Sequence, residues 1–222
     1  MKKNKRLSGD ILVPIIMTGA IWGIFEATVG YLLHLLPIRI GFLVWYPTAV
    51  FFLMSAYQTT RQKIAVLWVA VMASAIKLLN LMLPGRIDYV INPAVAILLE
   101  SLAVFIAIYA VERIPWAGNT QGILLLSIGM NTFWRVPYLG YLAFLVPDWM
   151  REVSVLKSSS DLIRFMVIDH LSSSLVVFAV LLLVGWLAKY KAHLIYSKLS
   201  GFSRILAPAV LIALNITLQT IL

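Results

Sequence analysis

Arg135 stands in the middle of an apolar segment that runs from about Gly122 to Val146, inside the stretch Gly-Met-Asn-Thr-Phe-Trp-Arg-Val-Pro-Tyr at positions 129–138. A guanidinium keeps its proton in any protein environment, and at the centre of a bilayer it costs between ~3 and ~15 kcal/mol unless it is paired or wetted. Asn131 lies four residues before it and Tyr138 three after, so the three share one helical face, which must look into protein or water. The other ionisable and amide groups inside apolar stretches are Glu26, His34, Lys77, Asn80, Asn92, Glu100, Asp169 and His170. In one cavity, Arg135 and Lys77 would meet a carboxylate or other anionic group, and Glu26, Glu100 or Asp169 would meet a cationic or donor group. The asparagines would set hydrogen-bond specificity, while Trp45, Tyr46, Trp134 and Tyr138 offer ring faces for stacking. Trp45 and Tyr46 fit equally well as anchors at a lipid interface.

These residues need helices to carry them. The chain has 222 residues, is 62% hydrophobic and 12% charged, and contains several apolar runs longer than the ~18 residues a span requires. It reads as one all-α integral membrane domain, a compact bundle of six transmembrane helices at about 11–36, 40–58, 64–83, 87–111, 122–146 and 162–188. A C-terminal hydrophobic helix, 205–222, either crosses as a seventh span or lies against the bundle. Pro37, Pro84-Gly85, Pro115 with Gly118, and Pro147-Asp148 mark the turns. Lys2, Lys3, Lys5 and Arg6 precede the first apolar stretch as in a signal peptide, but there is no small-x-small cleavage site and Glu26 lies deep inside, which favours a retained span.

The net charge of +9 reflects topology rather than nucleic-acid binding, because the cations collect between spans. With the N-terminus cytoplasmic, that side receives Lys2, Lys3, Lys5, Arg6, Arg61, Lys63, Arg113, Lys189, Lys191, Lys198 and Arg204. The opposite side receives Arg39, Arg86, Arg151, Lys157 and Arg164. This asymmetry orients the chain and brings anionic lipid into contact with its basic side. Tyr190 to Leu199 reads as an interfacial helix, and Pro147 to Asp161 as an outer loop that is either a flexible cover or an ordinary connection.

In this topology Glu26, Glu100 and Arg135 lie roughly 15 to 18 Å below the outer helix ends, while His34, Lys77, Asn80, Asn92, Asp169 and His170 lie within about 10 Å of the outer surface. The inner halves of the same helices are almost free of charge. Channels and alternating-access carriers need polar groups along both halves of a path, so this distribution describes a pocket open to the outside with an apolar floor. A structural polar core is the other reading, in which Glu26 or Glu100 neutralises Arg135 and Asp169 neutralises Lys77. Asn92 before Pro93 fits a helix cap, a role that leaves Glu100 unexplained. Gly19, Gly23 and Ala27, four apart in span one, form either an internal packing stripe or a docking face for a partner membrane protein.

In size, inferred topology and pocket placement, spans one to six resemble the substrate-binding S components of energy-coupling factor (ECF) transporters, small bacterial receptors for vitamins and metals. Gly19-Ala20-Ile21-Trp22-Gly23 has the residue types of that family's Ala-x-x-x-Trp signature without its spacing. The resemblance implies a bacterial cytoplasmic-membrane protein that binds a small, zwitterionic or heterocyclic, vitamin-like solute. It also implies docking on a transmembrane coupling protein driven by ATPase subunits.

No Gly-x-Ser-x-Gly, His-Glu-x-x-His or Walker loop is present and there is no cysteine, so no enzymatic activity, resident metal or cofactor is expected. A stand-alone proton-coupled carrier using Glu26, Glu100 and Asp169 is the main alternative. Haem between His34 and His170, or a metal held by His34, His170, Asp169 and Glu26, is a lesser one.

Overall fold

The computed structural model describes residues 9–35, 40–82 and 86–189, with side chains placed over 11–26, 40–82 and 86–188. Among these residues the chain is helical and has no strand. Helix α1 covers Gly9–Leu35, α2 Gly41–Thr60 and α3 Ile64–Leu78, the last tightened by a 3-10 turn over Leu79–Met82. Helix α4 covers Asp88–Arg113 and α5 Thr120–Phe144, and α6 is a short helix, Asp148–Glu152. Helix α7, Ser159–Ile163, widens into a π turn at Arg164–Ile168 and continues as α8, Asp169–Lys189. The expected seventh hydrophobic helix and the interfacial helix at 190–199 lie outside the described residues.

By length and composition three of these segments can cross a membrane: Ile64–Met82, Asp88–Arg113 and Ser159–Ala188. Helices α2 and α5 are long enough, with 20 and 25 residues, but less apolar. Trp45, Tyr46, Pro47 and Thr48 dilute the first, and Asn131, Thr132, Arg135, Pro137 and Tyr138 the second. Of α1, the stretch Ile11–Glu26 is a shorter apolar helix within the described side chains.

Local chemistry fixes several helix ends. Asn119 caps α5 by accepting from the Gly122 backbone N–H at 2.8 Å. Gly122 has no substitute there, because a Cβ would sit 2.2 Å from the Trp116 carbonyl oxygen. Helix α2 stops at Arg61, which takes the left-handed conformation (φ 56°) and returns its N–H to the Tyr57 carbonyl. Helix α4 begins at Asp88, next to the expected boundary at 87 and more than a turn before Pro93. Arg86 forks onto Asp88 through Nε at 3.0 Å and Nη2 at 2.8 Å, the Asp88 carboxylate sits in the first turn, and Pro93 falls inside the helix. Asn92 is therefore an interior residue and not a cap.

Helix α3 packs between α1 and α4, α2 runs along α8, and α5 bridges α4 and α8. Gly19 lets α1 approach α3: a Cβ there would lie 2.8 Å from Met72 Cβ and 3.2 Å from the Val69 carbonyl. Gly19 and Gly23 are both buried, so this part of the small-residue stripe is consumed by packing inside the bundle rather than held free for a partner. Ala27's side chain is outside the described residues.

Val50, Leu53 and Ala56 of α2 join Val66, Val69 and Ala70 of α3 and Val104 of α4 in an apolar core, all fully buried. At the end of the bundle where α2 finishes and α3 starts, Lys63 pairs with Glu112, which also accepts from Tyr57 Oη at 3.2 Å, and Lys63 lies over the Tyr109 ring at 3.7 Å. At the other end the segment after α5 folds into two short helices, α6 and α7. Met150 of α6 packs on Leu142 and Val146, and Ser158 caps α7 by accepting from Asp161 N–H at 3.1 Å.

Candidate functional site

Arg135 is 1% exposed, and its guanidinium is held rigidly. Nη1 donates to the Phe165 carbonyl at 2.8 Å, and the guanidinium carbon lies 4.3 Å from the Phe165 ring centroid and 4.9 Å from that of Trp134. The Phe165 carbonyl belongs to the π turn, and such turns recur at functional sites because they break the regular bonding of the helix. Arg135 Nε is buried and has no hydrogen-bond partner among the described residues. Glu100 and Asp169 lie within electrostatic range and supply the countercharge. Asp169 is shared, since Arg164 Nε approaches its Oδ1 at 3.5 Å across the five-residue step of the π turn.

Two more buried groups complete the centre. Tyr46 of α2 is 1% exposed with its hydroxyl unpartnered among the described residues, and it lies within electrostatic range of both Glu100 and Arg135. It faces the bundle interior and so is no lipid anchor. Glu100 is 5% exposed and makes no hydrogen bond or ion pair within 4 Å among the described residues; its electrostatic neighbours are Glu26 and Arg135. A buried polar atom without a hydrogen bond is expensive, so Tyr46 Oη of α2 and Arg135 Nε of α5, both beside Glu100 of α4, require an explanation.

The surroundings are aromatic. Trp134 lies 5.6 Å from Tyr46, 5.8 Å from Tyr138 and 6.0 Å from Phe165, centroid to centroid, and Tyr138 lies 5.9 Å from Tyr141. Trp134 spends its N–H on Asn131 Oδ1 at 3.3 Å, and Asn131 in turn donates to the Ser127 carbonyl. Along α4, Asp88, Asn92, Ala96 and Glu100 follow at four-residue steps on one face. Opposite them on α5, Tyr141 donates to Asn92 Oδ1 at 3.0 Å, and Tyr138 lies within electrostatic range of Glu100 and Asp88. A polar stripe therefore leads from the Arg86–Asp88 pair down to Glu100.

The remaining sequence-derived candidates divide. Glu26 accepts from Trp22 Nε1 at 3.3 Å and has Lys77 within electrostatic range, so Lys77 is countered by Glu26 and not by Asp169. Glu26 and Glu100 are within electrostatic range of each other, which joins this pair to the centre. His170 is tied up between helices, with Nε2 2.9 Å from Thr132 Oγ1. Asn80 lies in the 3-10 turn with its Oδ1 buried and unpartnered among the described residues. His34 belongs to α1, but its side chain is outside the described residues. No three His, Cys, Asp or Glu side chains among the described residues are grouped to hold a metal ion.

Sequence reasoning passed over Tyr141, Phe165 and Asp88. Tyr141 continues the stripe Trp134, Tyr138 at helical spacing, and Asp88 lies four residues before Asn92, so both were available as periodicity. Phe165 was not, because only the π turn brings its ring and carbonyl to Arg135.

Comparison with known proteins returns nothing. No protein-family model, curated protein or solved structure matches the chain.

Proposed function

We propose that the chain is a six-span integral membrane protein whose chamber binds a small polar solute. It would act as the substrate-binding subunit of an ECF-type uptake system in a bacterial cytoplasmic membrane, with the N-terminus inside and transport powered by a partner ATPase module. The observation that carries this reading is that Tyr46 Oη and Arg135 Nε are buried without a hydrogen-bond partner among the described residues, beside the buried Glu100 carboxylate. A polar core built only to fix helix register would pair its members with each other. The polar groups gather at one end of the bundle, and the apolar core fills the same helices towards the Lys63–Glu112 end, a distribution that supports a pocket with one opening. Outward-facing Leu125, Val136, Leu171, Leu175 and Trp186 support a hydrocarbon environment for α5 and α8.

The experiment is reconstitution of the purified chain, followed by equilibrium binding from a pooled metabolite extract and uptake into proteoliposomes under an imposed pH gradient. Binding without uptake is the expected result, with uptake appearing only when an ATPase module is supplied. Uptake by the chain alone would establish the proton-coupled carrier instead.

A further inference from the structure

The exposed apolar surface of the chain does not stop where α5 ends. We propose that the segment from Phe144 to Val153 is an anchor seated in the outer leaflet of the bilayer, with acyl chains against one side of α6 and water against the other. The inference rests on the membrane reading above and is independent of any solute.

Two consecutive residues at the end of α5 are turned away from the protein: Phe144 is 86% exposed and Leu145 77%. Phe144 extends a face already occupied by Leu125, Phe133 and Val136, which recur at helical spacing along α5 and are exposed as well. From Arg135 the helix rises about 14 Å to Phe144. With the guanidinium near the midplane, Phe144 reaches the edge of the hydrocarbon, about 15 Å out.

Helix α6 continues that surface because its residues are sorted by chemistry around its axis. At about 100° per residue, Asp148, Arg151 and Glu152 share one side, and Trp149 with Val153 the other. Asp148 pairs with Arg151 at 2.6 Å on the polar side. Met150 is buried on Leu142 and Val146, which fixes the rotation of α6 on the bundle. Trp149 and Val153 are therefore held outward, each about half exposed, away from the charged pair. The patch runs on from the outward face of α5 and carries its charges on one side only, the arrangement of an interfacial amphipathic turn, and indole is a ring that favours this depth. Seated in this way, the segment sets the depth of α5 and with it that of Arg135.

The chain has no cysteine, so a single introduced cysteine carries a nitroxide label without background. Phe144→Cys, Asp148→Cys, Trp149→Cys and Glu152→Cys, with Leu175→Cys on α8 as reference, all replace exposed residues and remove little packing. Each full-length variant is reconstituted in phosphatidylethanolamine–phosphatidylglycerol vesicles. Power saturation then compares collision with oxygen, which partitions into lipid, and with nickel ethylenediaminediacetate, which stays in water. Labels at positions 144 and 149 should favour oxygen, as at 175, and the order should reverse at 148 and 152. Nickel access at 144 and 149 with oxygen access at 175 would overturn the anchor and leave the membrane reading standing; nickel access at 175 as well would remove both. Shielding of 144 and 149 from both reagents, with spin–spin broadening, would overturn the anchor in favour of contact with a second copy of the chain. Oxygen access at all four positions would overturn the two-sided placement of α6.

Discussion

Breaking the Arg135–Glu100 relation should be costly in one direction and largely repaired in the other. Arg135→Leu removes the charged hydrogen bond to Phe165, a contact of about 1.5–3 kcal/mol, and the ring contacts, about 1–2 kcal/mol where desolvated. It also relieves the desolvation of the guanidinium, which offsets several kcal/mol of that loss. What decides the sign is Glu100, left buried without its countercharge, whereas Asp169 keeps Arg164 at 3.5 Å. The net cost should be about 3–5 kcal/mol, the range for removing one partner of a buried pair. Glu100→Leu in the same chain removes the stranded carboxylate and should return about 2–3 kcal/mol as a coupling energy. The assay is a double-mutant cycle of unfolding in mixed micelles, followed by tryptophan fluorescence. A double variant as unstable as the sum of the two single variants would refute the assignment of Glu100 as the countercharge.

Three further outcomes follow from other parts of the fold. Gly122→Ala should destabilise by about 2–3 kcal/mol in the same unfolding assay, because its Cβ meets the Trp116 carbonyl at 2.2 Å and backbone must move. Arg61→Gly should stabilise by about 1 kcal/mol, since the left-handed conformation at the end of α2 carries no Cβ penalty for glycine. The hydrogen bond to Glu112 holds Lys63 above the usual lysine range, so its contribution is complete below the ordinary value of 10.5 and fades as pH rises through the raised value. The difference in melting temperature between the native chain and Lys63→Met should thus stay constant while Glu112 is ionised and disappear only above 10.5.

Much of the site was legible because helical periodicity and intramembrane charge are local signals. Asn131, Arg135 and Tyr138 follow from spacing alone, and Asn92 with Glu100 from four-residue steps on α4. The pairings were not legible, because they depend on neighbour order and helix rotation: Lys77 found Glu26 and Asp169 found Arg164. The cap of α4 was misread because Pro93 resembles a first-turn proline, while the real N-terminal signal is the Arg86–Asp88 fork. The π turn adds a residue without a compositional mark, so Phe165 stayed hidden. Composition alone picks out three spanning segments and passes over α2 and α5 for a related reason. Those two helices supply Tyr46, Trp134, Arg135 and Tyr138, and a polar, aromatic centre lowers the hydropathy of the helices that form it.

Native mass spectrometry of the gently purified protein, with Arg135→Gln alongside, tests the solute-binding chamber most directly. The predicted result is a small molecule that stays with the native chain and is absent from the variant. Ligand-free spectra for both chains, even after incubation with a pooled metabolite extract, would contradict it and assign Arg135 and Glu100 to a purely structural core.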